Sequence, residues 1–123
     1  IRPLSYIGED CQIGNFVELK DSRLGDRCRV NHMAFIGDAE IENDVTIGAG
    51  VITCNHDGVK INKTIIKQGS YVGSNVNLIA PITIHQNAVI GSGSTVSREV
   101  PGNKLTIARV KQKVIEGWKG FKK

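Results

Sequence analysis

The sequence is poor in features that mark several common protein classes. Only 5% of its 123 residues are aromatic, with one Trp, two Tyr and three Phe. No apolar run approaches the ~18 residues that a membrane-spanning helix needs, and no secretory signal opens the chain. Three cysteines (Cys11, Cys28 and Cys54) form no CxxC pair and are odd in number, which argues against a disulfide scaffold or a zinc knuckle. We therefore expect a reducing, cytoplasmic location and no membrane partner.

The charges are unevenly distributed along the chain. Residues 104–123 carry seven basic side chains and one acidic side chain, whereas residues 1–103 carry nine basic and eleven acidic ones. A basic tail is frequent in nucleic-acid-binding proteins, but no RNA- or DNA-binding signature accompanies this one. The tail is therefore predicted to be a solvated arm or a docking site for an anionic small molecule, with no nucleic-acid partner.

An aliphatic residue returns at almost every sixth position. These residues are Ile7, Ile13, Leu19, Leu24, Val30, Ile36, Ile41, Ile47, Ile66, Val72, Leu78, Ile84, Ile90 and Val96. Seven of them are followed directly by glycine, and a small or β-branched residue stands four positions after most of them. A period of six fits neither a helix, which repeats every 3.6 residues, nor an alternating strand.

A triangular β-solenoid does repeat every six residues. Each unit makes a short strand and a corner, three units complete a coil, and the aliphatic side chains point inward while parallel strands pair between coils. Glycine and asparagine supply the backbone freedom that the corners need. The pattern predicts an all-β parallel β-helix of about five coils over residues 1–101, followed by a basic C-terminal arm over residues 102–123.

One interruption breaks the repeat. The step from Ile47 to Ile66 is nineteen residues, thirteen more than one repeat, and it contains the run from Thr53 to Gly58. A loop that leaves a regular solenoid has no packing role, so a functional role is the better interpretation. The sequence therefore predicts an inserted loop over residues 53–65.

The repeat resembles that of the hexapeptide-repeat acyltransferases, and longer motifs narrow the resemblance. Motifs at 13–20, 36–41, 47–50, 52–55, 63–66, 72–74, 80–81, 108–110 and 117–119 resemble the acetyltransferase domain of the bifunctional UDP-N-acetylglucosamine pyrophosphorylase / glucosamine-1-phosphate N-acetyltransferases. The resemblance runs from Arg2 to the end. That family's nucleotidyltransferase domain and earliest coils have no counterpart in the sequence, and the chain begins at Ile1 inside the pattern, so we expect a piece of a longer protein.

The resemblance implies a fold and a reaction. The fold would be a left-handed β-helix that assembles into a homotrimer with active sites between subunits. The reaction would move the acetyl group of acetyl-CoA, a cosubstrate, onto the amine of glucosamine 1-phosphate during UDP-N-acetylglucosamine biosynthesis. This chemistry needs a base for the amine proton, cations for the sugar phosphate and a donor for the thioester oxyanion.

The resemblance also assigns roles to residues. His32 matches the general base, Glu18 is placed to orient its imidazole, and Arg2 and Lys20 match ligands of the phosphate and sugar. Asn55 matches a residue near the reacting amine, beside a backbone N–H that would serve the oxyanion. The residues matching the acetyl-CoA groove are Ala49, Ser74, Ser92 and Arg109.

Three positions depart from the family pattern. Phe35 replaces a Tyr whose hydroxyl helps to hold the substrate phosphate, and Thr46 replaces an Asn that contacts the sugar. His56 replaces a Tyr beside the catalytic Asn and is assigned to the acetyl-CoA side. Because a lost hydrogen bond to a charged group is worth about 1.5–3 kcal/mol, these changes predict weaker sugar binding.

Two other classes of function remain open at the level of sequence. One is a zinc-dependent lyase of the γ-carbonic-anhydrase kind, which would use His32, His56 and His85; their separations of 24 and 29 residues match no ligand pattern, and no metal site is expected. The other is a non-catalytic or substrate-altered trimeric paralogue, which the three departures would explain. By composition alone, Arg2 and Lys20 would be ordinary surface charges.

Overall fold

The computed structural model describes residues 1–121, in which every regular element is a short β-strand. The strands are β1 (Tyr6–Ile7), β2 (Gln12–Ile13), β3 (Glu18–Lys20), β4 (Arg23–Leu24), β5 (Arg29–Val30), β6 (Phe35–Gly37), β7 (Ala39–Ile41), β8 (Thr46–Ile47), β9 (Ile52–Cys54), β10 (Thr64–Ile66), β11 (Tyr71–Val72), β12 (Asn77–Ile79), β13 (Ile82–Ile84), β14 (Val89–Ile90), β15 (Thr95–Val96) and β16 (Leu105–Thr106). Residues 1–121 include no helix that could cross a membrane.

The strands form three parallel sheets that make the three faces of a solenoid. The first face is ordered β1-β4-β7-β10-β13, the second β2-β5-β8-β11-β14-β16, and the third β3-β6-β9-β12-β15. From β1 to β12, each strand pairs with the strand three positions further along the chain, so three strands complete a turn; β14 pairs with β16, because the isolated bridge from Ile84 to Val100 takes the place of a strand. The prediction of an all-β parallel β-helix of about five coils is confirmed: five turns are complete and β16 begins a sixth.

The repeating aliphatic side chains form the core. All of them are buried except Ile7 and Ile13, which lie in the first turn and are partly buried. Small corner residues such as Cys28 and Ala88 are also buried. Since each inward side chain stacks on the equivalent side chain one turn away, the period of six in the sequence becomes a continuous apolar column.

The predicted loop over residues 53–65 is too long, because part of it is strand. Thr53 lies in β9, is 1% exposed and occupies the inward position that other turns give to an aliphatic residue. Its hydroxyl accepts the N–H of Gly37 at 2.8 Å, so the buried polar group is satisfied. The loop therefore spans residues 55–63. The pattern of aliphatic residues does not include this repeat because threonine is polar, although its β-branched shape fits a strand.

The repeat glycines serve a different purpose from the one predicted. Left-handed backbone conformations occur later in each corner, for example at Gly50 and Asn75, and not at the glycine directly after the aliphatic residue. A Cβ on Gly48 would lie 2.7 Å from the backbone N of Ser74 in the next turn. Glycine is required there because the backbones of successive turns approach closely.

The solenoid also extends beyond the predicted boundary at residue 101. Val100 bridges to Ile84, and β16 pairs with β14 in the second face. Ala108 still bonds to the solenoid, through its carbonyl to Thr95 N at 3.0 Å and through its N–H to Ser94 Oγ at 3.1 Å. The arm therefore begins after Ala108, and residues 107–121 are exposed. Residues 122 and 123, which the predicted arm includes, lie outside the described part of the chain.

Candidate functional site

One edge of the solenoid collects most of the residues assigned to the acetyl-CoA groove. This edge joins the second face to the third, and we call it the His32 corner; its members are His32, Ala49, Ser74, Ser92 and Arg109. Backbone hydrogen bonds link it turn by turn, from Gly50 N to His32 O at 3.0 Å and from Asn75 N to Ala49 O at 2.8 Å.

The upper end of the His32 corner is fixed by its own polar contacts. The Ser92 hydroxyl accepts the N–H of Ser74 at 3.1 Å, and the Arg109 guanidinium donates to the carbonyl of Ser92. Neighbouring turns lie about 4.8 Å apart, so three turns place Ser92 about 14 Å from His32. The corner is thus a long, narrow edge with an imidazole at one end and a guanidinium at the other.

The His32 side chain is exposed and lies over the preceding turn. Its Nδ1 would be 2.9 Å from a Cβ built on Gly14, so the absence of a side chain at Gly14 leaves room for the ring. No side-chain hydrogen bond of His32 is found among residues 1–121. Both ring nitrogens are therefore available to a ligand at this corner.

The opposite edge of the third face holds a compact polar group, which we call the Lys20 cluster: Lys20, Asp38 and Asn55. Lys20 Nζ lies 3.3 Å from Asp38 Oδ2, and Asn55 Nδ2 donates to the same oxygen at 2.6 Å. The three residues come from three successive turns. Sequence reasoning identified Lys20 and Asn55 but missed Asp38. The missing signal was spacing: one coil is 17 residues in these strands, so Asp38 lies one coil before Asn55, and Lys20 lies one residue before the position in register with Asp38.

Glu18 and Phe35 lie on the outer surface of the third face, between the two edges. They occupy neighbouring strands in register. The Glu18 carboxylate lies 3.6 Å from Arg2 Nη1, so the contact found for Glu18 is with a predicted phosphate ligand and not with the imidazole of His32. The Phe35 ring turns over Gly37, where a Cβ would be 2.7 Å from both Phe35 Cζ and Asn55 Nδ2. The tip of the ring therefore faces the Lys20 cluster.

The segment between β9 and β10 is a small hairpin. His56 bridges Ile61 in antiparallel fashion, and Asn62 N donates to Asn55 O at 2.6 Å. The Asp57 carboxylate accepts the N–H groups of Val59 and Lys60, each at 2.8 Å, and the Asn62 amide at 3.0 Å. These hydrogen bonds, from Lys60 first, then Asn62 and Val59, lower the pKa of Asp57 to about 2. The Asp57 carboxylate therefore holds Asn62, and the N–H of Asn62 in turn holds the carbonyl of Asn55.

Thr46 and His56 lie away from the groups that correspond to their assigned roles, Thr46 from the Lys20 cluster and His56 from the His32 corner. Thr46 lies on the second face, in register with Arg29 and Tyr71, and so does not face the Lys20 cluster. His56 lies on the hairpin, where its Nδ1 accepts the N–H of Gly58 at 3.0 Å, at the edge away from the His32 corner.

The three histidines lie apart from one another, and two of the three cysteines pack within corners of the solenoid. His32, His56 and His85 lie at three different edges, and residues 1–121 hold no group of three His, Cys, Asp or Glu side chains suited to a metal ion. Burial raises the pKa of the Cys28 thiol, and both Cys11 and Cys28 contact backbone carbonyls within a corner. These two cysteines are corner residues.

Comparison with known proteins gives a consistent set of relatives. The family described as bacterial transferase hexapeptide (six repeats) matches residues 63–98. The chain is 52% identical over 118 residues to the bifunctional protein GlmU of Thermodesulfovibrio yellowstonii, and 51% identical over 118 residues to that of Alkaliphilus metalliredigens. Each match covers 96% of this chain and 26% of the relative, so the chain spans about a quarter of the length of these proteins.

Solved structures share the fold. A maltose O-acetyltransferase from Clostridium difficile superposes with a TM-score of 0.78 at 21% identity, over 92% of this chain and 72% of that one. A hexapeptide-repeat-containing acetyltransferase from Vibrio cholerae, complexed with acetyl coenzyme A, gives 0.73 at 17% identity, over 85% and 66%. At this identity the likeness concerns the β-helix alone.

Proposed function

We propose that this chain is an N-acetyltransferase, because residues 63–98 match the bacterial transferase hexapeptide family and 118 residues are 51–52% identical to a segment of the bifunctional GlmU proteins. It would transfer the acetyl group of acetyl-CoA to the amine of glucosamine 1-phosphate. One observation carries the proposal: residues far apart in sequence collect into two groups that border the same face, the His32 corner and the Lys20 cluster. The first suits a long acyl donor that ends in phosphates, and the second suits a sugar phosphate.

The geometry supports a division of labour between the two groups. Arg109, at the far end of the His32 corner, is a suitable partner for the phosphates of CoA, since guanidinium groups bind phosphate through paired hydrogen bonds. Arg2 and Lys20 provide cations for the phosphate of the sugar. Between them, the third face presents Glu18, Phe35 and the amide of Asn55 to the body of the acceptor.

The proposed reaction begins with proton transfer. His32 takes a proton from the amine while the nitrogen attacks the thioester carbonyl carbon, forming a C–N bond. A backbone N–H stabilises the resulting oxyanion; the antiparallel pattern of the hairpin directs the N–H of His56, next to Asn55, away from Ile61. The carbonyl then re-forms as the C–S bond breaks, and the CoA thiolate takes the proton from the His32 imidazolium and leaves as the thiol, which restores the neutral base.

Assembly into a homotrimer forms part of the proposal. Thr46 and His56 have assigned roles in the acceptor and donor sites, yet each lies away from those groups within one chain. In a trimer, neighbouring copies would complete both sites: the second face of one copy would bring Thr46 to the Lys20 cluster of another, and the hairpin would bring His56 to a His32 corner. This arrangement matches active sites formed between subunits.

The test measures release of free CoA thiol with acetyl-CoA and glucosamine 1-phosphate. We expect His32→Ala to lower kcat by about 10²-fold or more, as removal of a general base does, with the oligomer unchanged. His85→Ala is the matched control, because His85 lies at another edge and pairs with Glu99 at 2.9 Å; its activity should match that of the wild type. A trimeric wild-type protein that releases no CoA would contradict the proposal and favour a non-catalytic paralogue.

A further inference from the structure

Asp38 is the common partner of the two other members of the Lys20 cluster. A single carboxylate oxygen, Oδ2, accepts the Asn55 amide at 2.6 Å and lies 3.3 Å from the Lys20 ammonium. The Asp38 side chain is 13% exposed and that of Lys20 is 29% exposed. At this depth solvent screens a charge pair less than at the open surface.

The backbone of Asp38 is held on both sides. Its N–H donates to Lys20 O at 2.9 Å, and its carbonyl accepts the N–H of Thr64 at 3.2 Å. The first bond joins it to the previous turn, and the second joins it to the strand that follows the hairpin. The carboxylate is therefore fixed relative to both of the side chains it contacts.

A role as a corner-forming residue does not explain this carboxylate. Asp38 has a positive φ of 52°, but Phe16, Arg27 and Met33 adopt similar values at other corners. Asp21 occupies the same edge one turn earlier with a φ of 45°, and its carboxylate is exposed and makes no hydrogen bond or ion pair within residues 1–121. The backbone conformation therefore requires neither a carboxylate nor its contacts.

The contacts with Asp38 determine which polar groups of Asn55 and Lys20 remain available to a ligand. Asn55 donates its Nδ2 to Asp38, so its carbonyl Oδ1 faces the other way and is available as an acceptor. An amine that attacks a thioester still carries N–H donors, which an amide oxygen can accept while the lone pair points to the carbonyl carbon. Lys20 has three ammonium N–H groups and uses one on Asp38, which leaves two for a phosphate.

We infer that Asp38 is a positioning residue for the sugar-phosphate acceptor, acting through Asn55 on its amine and through Lys20 on its phosphate. The inference rests on the proposed function, because it assigns the acceptor that Asn55 and Lys20 receive. It adds a residue that no resemblance assigned. Removing the charge of Asp38 should disturb acceptor use while leaving acetyl-CoA use unchanged.

The first experiment compares Asp38→Asn with Asp21→Asn by steady-state kinetics. Asparagine keeps the size of aspartate and tolerates positive φ, but it removes the charge. Because its amide can donate as well as accept, it also no longer fixes which end of the Asn55 amide faces it. For Asp38→Asn we expect kcat/KM for glucosamine 1-phosphate to fall about tenfold or more, through a lower kcat and a higher KM, with KM for acetyl-CoA unchanged. Asp21→Asn should behave as the wild type.

A double-mutant cycle tests whether Asp38 acts through Asn55. If it does, Asp38→Asn should have little further effect on kcat in an Asn55→Ala background, since interacting residues are not additive. Asp38→Glu provides a second variant that keeps the charge near Lys20 but displaces it from Asn55. It should restore KM for the sugar phosphate more than it restores kcat.

The outcomes separate this inference from the proposed function. A wild-type protein without activity would overturn both. An active wild type in which Asp38→Asn leaves acceptor kinetics unchanged, raises both KM values equally, or adds fully to Asn55→Ala would overturn the role of Asp38 alone.

Discussion

At the scale of single residues, the molecule places chemistry by stacking side chains one turn apart. Lys20, Asp38 and Asn55 meet because they lie in three successive turns: Asp38 is one coil before Asn55, and Lys20 is one residue before the position in register with Asp38. The outward column beside them contains Glu18 and Phe35. A change at any of these positions therefore acts on side chains one turn above or below it.

Phe35 gives a prediction at this scale. The tip of its ring faces the Lys20 cluster, so the hydroxyl added by Phe35→Tyr would reach the place where the sugar phosphate is proposed to bind. A hydrogen bond to a charged group contributes about 1.5–3 kcal/mol, so KM for glucosamine 1-phosphate should fall about tenfold. KM for acetyl-CoA should stay constant in the same steady-state assay.

Phe16→Tyr is the control for that substitution. Phe16 is 86% exposed at the edge between the second and third faces, so a hydroxyl there should not alter KM for the sugar phosphate. Equal changes in both KM values for Phe35→Tyr would refute the separation of acceptor and donor sites.

At the scale of elements, the hairpin over residues 55–62 is the one departure from regular turns between β1 and β15. A hairpin with a single antiparallel bridge is too short to be stable alone, and the Asp57 carboxylate accepts three of its hydrogen bonds. Because Asn62 closes the hairpin on Asn55, the order of this element fixes the position of an assigned catalytic residue.

The hairpin should therefore respond to acid through Asp57. Its pKa is lowered to about 2, below the ordinary value near 3.9. A lowered pKa means that the contribution of the carboxylate to hairpin stability is complete above about pH 4 and is lost as the pH falls toward 2. Amide exchange at Val59 and Lys60, relative to Val72 in the core, should accelerate across that interval.

Substitution tests the same clamp at neutral pH. Asp57→Asn should accelerate exchange at Val59 and Lys60 and lower kcat, because Asn55 is less firmly held. Asp10→Asn, at an exposed corner in the first turn, should change neither. Unaltered exchange in Asp57→Asn would show that the hairpin is ordered by other contacts.

At the scale of the whole molecule, each turn is stabilised mainly by its neighbours, so the ends of the solenoid matter. β16 covers β14 through bonds from Val89 N to Lys104 O and from Gly91 N to Thr106 O, each at 3.0 Å. Arg109 lies three residues after the end of β16 and contacts Ser92. Stability and the proposed CoA contact are thus encoded in adjacent but separable segments.

Two truncations separate the effect of β16 on stability from the effect of Arg109 on CoA binding. Ending the chain after Ala108 removes Arg109 but keeps β16, so the dissociation constant for CoA should rise while the melting temperature changes little. Ending it after Gly102 removes both and should also lower the melting temperature, because β14 loses its hydrogen-bonded cover. Calorimetric titration and thermal unfolding measure the two effects, and Arg109→Ala in the full chain should reproduce the first.

If CoA affinity were unchanged both in the chain that ends after Ala108 and in Arg109→Ala, the arm would have another function. Unchanged melting after the Gly102 truncation would show that β16 is not part of the stable solenoid.

The sequence by itself determined the class of fold, because burial imposes its own period. A period of six residues fits one short strand and one corner, so it predicted a solenoid built from such units, and the structure places three of them in each turn. The same period located the interruption near Asn55. It missed Thr53, since a periodic search for apolar residues excludes a hydroxyl whose hydrogen bonds are formed only in the folded chain.

Only the tertiary structure decided which side chains meet. The stacking of successive turns brings the side chains of Lys20, Asp38 and Asn55 into contact, although no local motif contains all three. The same stacking places the tip of the Phe35 ring toward them. It also separates Thr46 and His56 from the groups they were assigned to. Such contacts depend on the rotamers and the relative heights of successive turns, and these are settled when the coils pack together and not by the residues of any one repeat.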